Sequence, residues 1–165
     1  MSANLCAQHY RTIFSLYYTP AKLYKWKCRD TSVCPRCNNL EADLLHMFAT
    51  CPALESYWRL VLSYIGDIIE SPLIFSPTLI IFGYDVKYGK NLLLFIAIVT
   101  ARMCIAKHWI DSNHPSYAQW LNYFLAIYHL EIAVNEGKDI RSYRNRTKVW
   151  APLKSWILQQ EHNYG

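Results

Sequence analysis

The sequence predicts an all-α fold: a helical domain with a small Cys/His-bearing segment and little or no sheet. Three observations lead there. Apolar residues recur at helical spacing through most of the chain, and several prolines fall where a helix would start. Glycine is scarce, at five of 165 residues, while aromatic residues reach 15%, a balance that suits helices with amphipathic anchors better than a turn-rich sandwich.

The elements follow in order. In residues 3–18, Leu5, Tyr10, Ile13, Phe14 and Tyr17 fall near one face of a helix. Thr19 then reads as an N-cap with Pro20 at the first helical position, opening the short basic stretch PAKLYKWKCR. Pro52 starts a helix over 53–69, in which Leu54, Tyr57, Trp58, Val61, Leu62 and Ile65 follow the i, i+3, i+4, i+7 rule. SPLIFSPTLIIFGYD is broken by Pro72 and Pro77, and reads as a packed loop with one short strand. The longest and most buried helix is expected over 90–112, and another over 115–136, with Asn113 as its cap and Gly137 beyond its end. The basic, punctuated GKDIRSYRNRTKVW follows, then a short helix holding Leu153, Trp156 and Ile157. Organisation along the chain divides it into a basic helical segment at 1–32, a Cys/His knuckle at 33–52 and a helical domain at 53–165.

Composition bounds the function classes. With 53% hydrophobic and 18% charged residues, the chain is not a disordered tail. Its net charge of +5 is unevenly spread. Residues 1–36 hold six Lys or Arg against Asp30, residues 37–85 hold six acids against Arg59, and residues 138–165 return to six cations against two acids. Basic ends around an acidic middle suit a polyanionic partner, with a solvated positive surface as the plainer reading. LLLFIAIVTARMCIAKHWI, residues 92–110, loses its apolar run at Val99, and Arg102 and Lys107 follow, so a buried helix is expected and no membrane. The N-terminus has no secretory pattern, which places the expected setting inside the cell, in nucleus or cytoplasm, with reduced thiols.

The densest chemistry lies in VCPRCNNLEADLLHMFATCP. Cys34, Cys37, His46 and Cys51 give the spacing Cys-x2-Cys-x8-His-x4-Cys. A Cys-x2-Cys turn is the common way to present two thiolates from adjacent backbone, and tetrahedral Zn²⁺ takes four N or S ligands at about 2.0–2.3 Å. The other two ligands fit a helix starting near Glu41, with His46 inside it and Cys51 just past its end. Four protein ligands close a site, so the expected ion is structural zinc, with ligand atoms within about 4 Å of one another. Cys6, Cys28 and Cys104 read as ordinary thiols.

CPRCNNLEADLLHMFATCPALESYW resembles the zinc-binding segment at the C-terminal end of reverse transcriptases from non-LTR (LINE-type) retrotransposons. LLHMFATCP and SYW match that family's "LxHxFxxCP" run and its following aromatic pair with Trp. YYTPAKLYKW resembles the segment before that finger, and ARMCIAKHW and KVWAPLKSW resemble stretches after it, so the likeness runs from about residue 10 to 158. The family's polymerase centre carries paired aspartates that hold catalytic metal ions; no Asp-Asp pair occurs here and every aspartate stands alone. The resemblance therefore implies a non-catalytic C-terminal piece, not an enzyme and without a small-molecule substrate. It also implies a role in holding RNA or single-stranded DNA.

Two basic patches suit that partner. Lys22, Lys25, Lys27, Arg29 and Arg36 surround the knuckle, interleaved with Tyr24 and Trp26, which are either stacking platforms or core anchors of a short helix. Lys138, Arg141, Arg144, Arg146 and Lys148 form the second patch, with Tyr143 inside it and a solvated linker between helices as the plainer reading. The alternative function is a zinc-stabilised helical module that binds protein rather than nucleic acid.

Overall fold

Helix follows helix in the computed structural model, which describes residues 3–39, 41–135 and 140–163, the side chains of residues 135, 140–144, 146 and 163 apart. In chain order these are α1 (Ala3–Ile13), α2 (Pro20–Lys25), α3 (Glu55–Ile68), α4 (Pro77–Phe82), α5 (Leu92–Lys107), α6 (Tyr117–Asn135) and α7 (Ile140–Asn163). No strand occurs among the described residues, so the fold is all-α. None of the described helices is long and apolar enough to cross a membrane.

The central helix is α5. From Ile96 to Ile105 every side chain is buried, and the helix packs against α1, α3, α4, α6 and α7. Such a helix is apolar all round because it has neighbours all round. Asn91 caps it, its side chain accepting from the Leu94 N–H at 3.0 Å. On α6, Trp120, Phe124 and Ile127 face inward at i, i+4 and i+7, and the Trp120 and Phe124 rings stack at 5.4 Å. Trp120 Nε1 donates to the Thr100 hydroxyl and the Ala97 carbonyl of α5, so the indole is both packed and satisfied. The buried side chains, from Leu5 in α1 to Leu153 in α7, form one continuous cluster.

Five expectations need correction. The helix expected over 90–112 as the longest spans Leu92–Lys107, 16 residues against 24 in α7, because Asn91 caps its start and His108 leaves the helix at its end. The first helix stops at Ile13, not 18, because Ser15 takes a left-handed φ of 55° and the Leu16 N–H turns back to the Arg11 carbonyl at 2.8 Å. The segment 71–85, expected as loop with a short strand, contains α4: Ser76 caps it, Pro77 takes its first turn and Gly83 ends it at a φ of 66°. The cap of α6 is Ser116 rather than Asn113. Gln119 donates its N–H to Ser116 Oγ at 3.1 Å and accepts the Ser116 N–H at 2.7 Å, a reciprocal capping box. From Ile140 on, the basic stretch before Trp150 is the start of α7, which continues through Pro152 as one long helix; residues 137–139 lie outside the described residues.

Among the described residues, one cation is fully buried. Arg102 of α5 is fully buried and donates to the Ile81 carbonyl at the end of α4 and to His9 Nδ1 of α1, 2.8 Å away. It thereby ties three helices together. Burial and the Arg102 charge together hold the His9 imidazole down at about 4, so it is neutral and accepts at neutral pH. The unfolded chain takes up the His9 proton near its ordinary value of 6.5, whereas the folded chain resists until about 4. Stability from this pair is therefore complete above about pH 6.5 and falls as the pH drops toward 4. Thermal melts of wild type and His9→Gln should agree at neutral pH, since the amide oxygen can still accept from Arg102. They should diverge between pH 6.5 and 4, with the wild type losing more. Parallel curves would contradict this account.

Candidate metal centre

Two local structures bring the Cys/His residues together. The first is a tight turn: the Asn38 N–H donates to the Cys34 carbonyl at 3.0 Å and the Cys34 N–H to the Asn39 carbonyl at 2.9 Å. Asn38 sits at a φ of 59°, a left-handed position that asparagine tolerates better than most residues. The second is a short helical stretch starting at Leu44, in which His46–Thr50 has π geometry. Asp43 caps it by accepting the His46 N–H at 2.7 Å. The stretch begins three residues later than expected from Glu41, because the aspartate serves as cap rather than as a first-turn charge. The wider π turn places the Cys51 N–H on the His46 carbonyl at 3.0 Å, so both ligands point to one side. Trp58 Nε1 then fastens the turn to α3 by donating to the Phe48 carbonyl at 2.8 Å.

The result is one cluster. One ligand atom each from Cys34, Cys37, His46 and Cys51 lies within 4.8 Å of the others, somewhat wider than the expected 4 Å. Cys34 and Cys51 sulfurs are 3.9 Å apart, and Cys37 Sγ is 3.2 Å from His46 Nε2. Cys34 and Cys51 are fully buried, and all six cysteines of the chain are free of disulfides. Cys28 is exposed and directed at the Trp26 carbonyl, outside the cluster. These four residues can hold a metal ion, as the spacing predicts.

Electrostatics around the sulfurs favour ligation. Burial raises the Cys34 thiol, but N–H groups of Cys37 and Arg36 aimed at its sulfur outweigh this and hold it below the ordinary value. Cys51 is pushed up to about 12, mainly by burial, with the neighbouring sulfurs adding to it. Burial and the nearby Arg36 charge lower the His46 imidazole and keep it neutral, the form that binds metal. Three sulfurs this close resist ionising together, and a cation that binds thiolates directly removes that penalty.

The sequence-predicted basic residues separate into three groups. Lys25, Lys27 and Arg29 are exposed, together with Tyr24 and Trp26, each at 53% exposure, so Trp26 is no core anchor. Lys22 is half-buried and donates its ammonium to the Ser15 carbonyl. Arg36 turns inward: Nη2 donates to the Met47 carbonyl at 2.6 Å, while Nε and Nη1 are buried with no hydrogen-bond partner among the described residues. Arg36 therefore faces the cluster and is not part of the exposed basic patch expected around the knuckle. The side chains of Arg141, Arg144 and Arg146 lie outside the described residues. Sequence reasoning did not single out Arg36 as a neighbour of the ligands, although its place inside Cys-Pro-Arg-Cys was the available signal. Against known protein families, no family model matches the chain.

One bound divalent ion per chain is the expected stoichiometry by elemental analysis, abolished in Cys34→Ser and intact in Cys28→Ser. Chelation should lower the melting temperature of the parent and leave that of Cys34→Ser unmoved. Equal metal content in both variants would mean the ligand set is wrong.

Proposed function

We propose that the ion is structural Zn²⁺ and that the adjoining α2 face holds single-stranded nucleic acid, RNA or DNA. In this reading the chain is a non-catalytic C-terminal part of a retrotransposon reverse transcriptase. The observation that carries the binding reading is the exposure of Tyr24 and Trp26 between Lys25, Lys27 and Arg29. Aromatic rings left in water cost hydrophobic free energy, and a nucleobase recovers it by stacking while cations meet the phosphates. Tyr18, 67% exposed, lies edge-on to Trp26 with ring centroids 6.1 Å apart and widens the platform.

Zinc fits the donor set. Three thiolates and a neutral imidazole in a closed site match its ligand preferences, and zinc there would hold the knuckle without taking part in chemistry. The backbone hydrogen bonds Ala21 N to Ala42 O, at 3.2 Å, and Ala42 N to Ser32 O, at 2.9 Å, link α2 to the knuckle. A rigid knuckle thus supports the face that presents Trp26. Arg36 belongs to the metal side of this arrangement: zinc with three thiolates carries a net charge of −1, which the guanidinium offsets.

Filter binding with single-stranded RNA tests the reading. Replacing Lys25 and Lys27 together by Ala should weaken affinity for all sequences alike and reduce the salt slope by about 0.7 per lost contact. Trp26→Ala should cost about 1–3 kcal/mol of binding with an unchanged melting temperature. If both variants bind like the parent, the nucleic-acid reading fails.

A further inference from the structure

A groove along α3 is on the other side of the charge balance. It encloses about 1080 Å³ along α3, between the turn at residues 49–52 and the loop at residues 71–75. Its floor includes Glu55, Arg59, Leu62, Gly66, Asp67 and Glu70. From Glu55 to Asp67 those positions fall at i, i+4, i+7, i+11 and i+12, a stripe along α3, and Glu70 follows in the turn just past the end of the helix. At a rise of about 1.5 Å per residue, the fourteen residues of α3 make the helix beneath the groove roughly 21 Å long, or about four turns.

The stripe has a definite chemistry. Leu62 on the floor, and Leu73 and Phe75 on the wall, supply an apolar strip, and Phe75 is 43% exposed. Glu55 stands at one end, Asp67 and Glu70 at the other, and Arg59 between them; all four are exposed. Three carboxylates against one guanidinium on a chain of net charge +5 make this a local acidic surface, which excludes a polyanion.

We infer that this groove docks a basic amphipathic helix of a partner protein. Its length, apolar strip and acidic ends match a helix of about four turns that lays Leu-like residues on Leu62, Leu73 and Phe75. Its Lys or Arg residues meet Asp67 and Glu70 at one end and Glu55 at the other. Arg59 sets the register by disfavouring a cation at the centre of the docked helix. This inference is independent of the nucleic-acid reading, because the residues it uses are separate from the α2 face.

The probes are two fluorescein-labelled sixteen-residue helical peptides with the same leucine stripe, one with lysines at its ends and one with glutamates. Fluorescence anisotropy on the full, metal-loaded chain should show binding of the lysine peptide only. NMR shift changes should lie on α3 and the loop at residues 71–75. Asp67→Lys/Glu70→Lys should weaken the lysine peptide at least tenfold and admit the glutamate peptide. That double variant should fold, since both residues are exposed and Lys27 already occupies the left-handed position after α2 that Glu70 occupies after α3. Phe75→Ser should weaken binding without changing the charge preference. The inference is overturned if the lysine peptide does not bind, or if charge reversal leaves its affinity unchanged. Displacement of the peptide by single-stranded RNA, or self-association with shift changes on α3, would also overturn it.

Discussion

Three thiols and an imidazole within 4.8 Å of one another, two of the sulfurs fully buried, set the constraint around which the N-terminal half is arranged. Sulfurs so close cannot all ionise in an apolar setting, and a divalent cation turns that liability into folding free energy. The local structure serves the convergence. Asn38 accepts a left-handed backbone to close the first turn, and Asp43 caps the second. The π turn from His46 to Thr50 turns Cys51 back toward His46, and Trp58 locks that turn to α3. Since α3 in turn bonds α5 through the Tyr57 hydroxyl on the Ala101 carbonyl, at 3.0 Å, the knuckle is joined to the central helix rather than attached by a linker.

Arg36 and Arg102 show how position decides what a cation does. Both were visible in the sequence only as charges. Arg102 is fully buried and links α1 and α4 to α5, using a neutral His9 and a carbonyl as acceptors in place of a carboxylate. Arg36 bends back over Met47 toward the cysteines. Of the cations near the knuckle, Lys25, Lys27 and Arg29 are left exposed on α2 and the turn after it, and the carboxylates of residues 37–85 gather in part along α3. The proposed nucleic-acid face and the acidic groove thus belong to separate elements, and neither needs the other to be neutralised.

The ligand set was legible because four donors at finger spacing have few other uses, and the long apolar and stripe-bearing helices were legible from period alone. Helix ends were not. α1, α2 and α3 finish with Ser15, Lys27 and Glu70 in the left-handed conformation, each closing the same pair of backward hydrogen bonds that glycine normally provides. A serine, a lysine and a glutamate give no stop signal, and each accepts a backbone cost of roughly 1–2 kcal/mol that tertiary packing offsets. Helix α4 was missed for the opposite reason: Pro72 and Pro77 read as breakers, although Ser76-Pro77 is a cap and a first turn and Gly83 a stop. Six residues are too few for a hydrophobic period to show. The inward turn of Arg36 and the pairing of His9 with Arg102, 93 residues away, are tertiary facts that no local pattern encodes.

X-ray absorption at the zinc K edge of the loaded protein tests the central claim most directly, because it reads the ligands themselves. The account predicts three sulfurs at about 2.3 Å and one nitrogen at about 2.0–2.1 Å. A shell dominated by oxygen and nitrogen, or one of four sulfurs, would contradict the assignment of Cys34, Cys37, His46 and Cys51 as the ligand set.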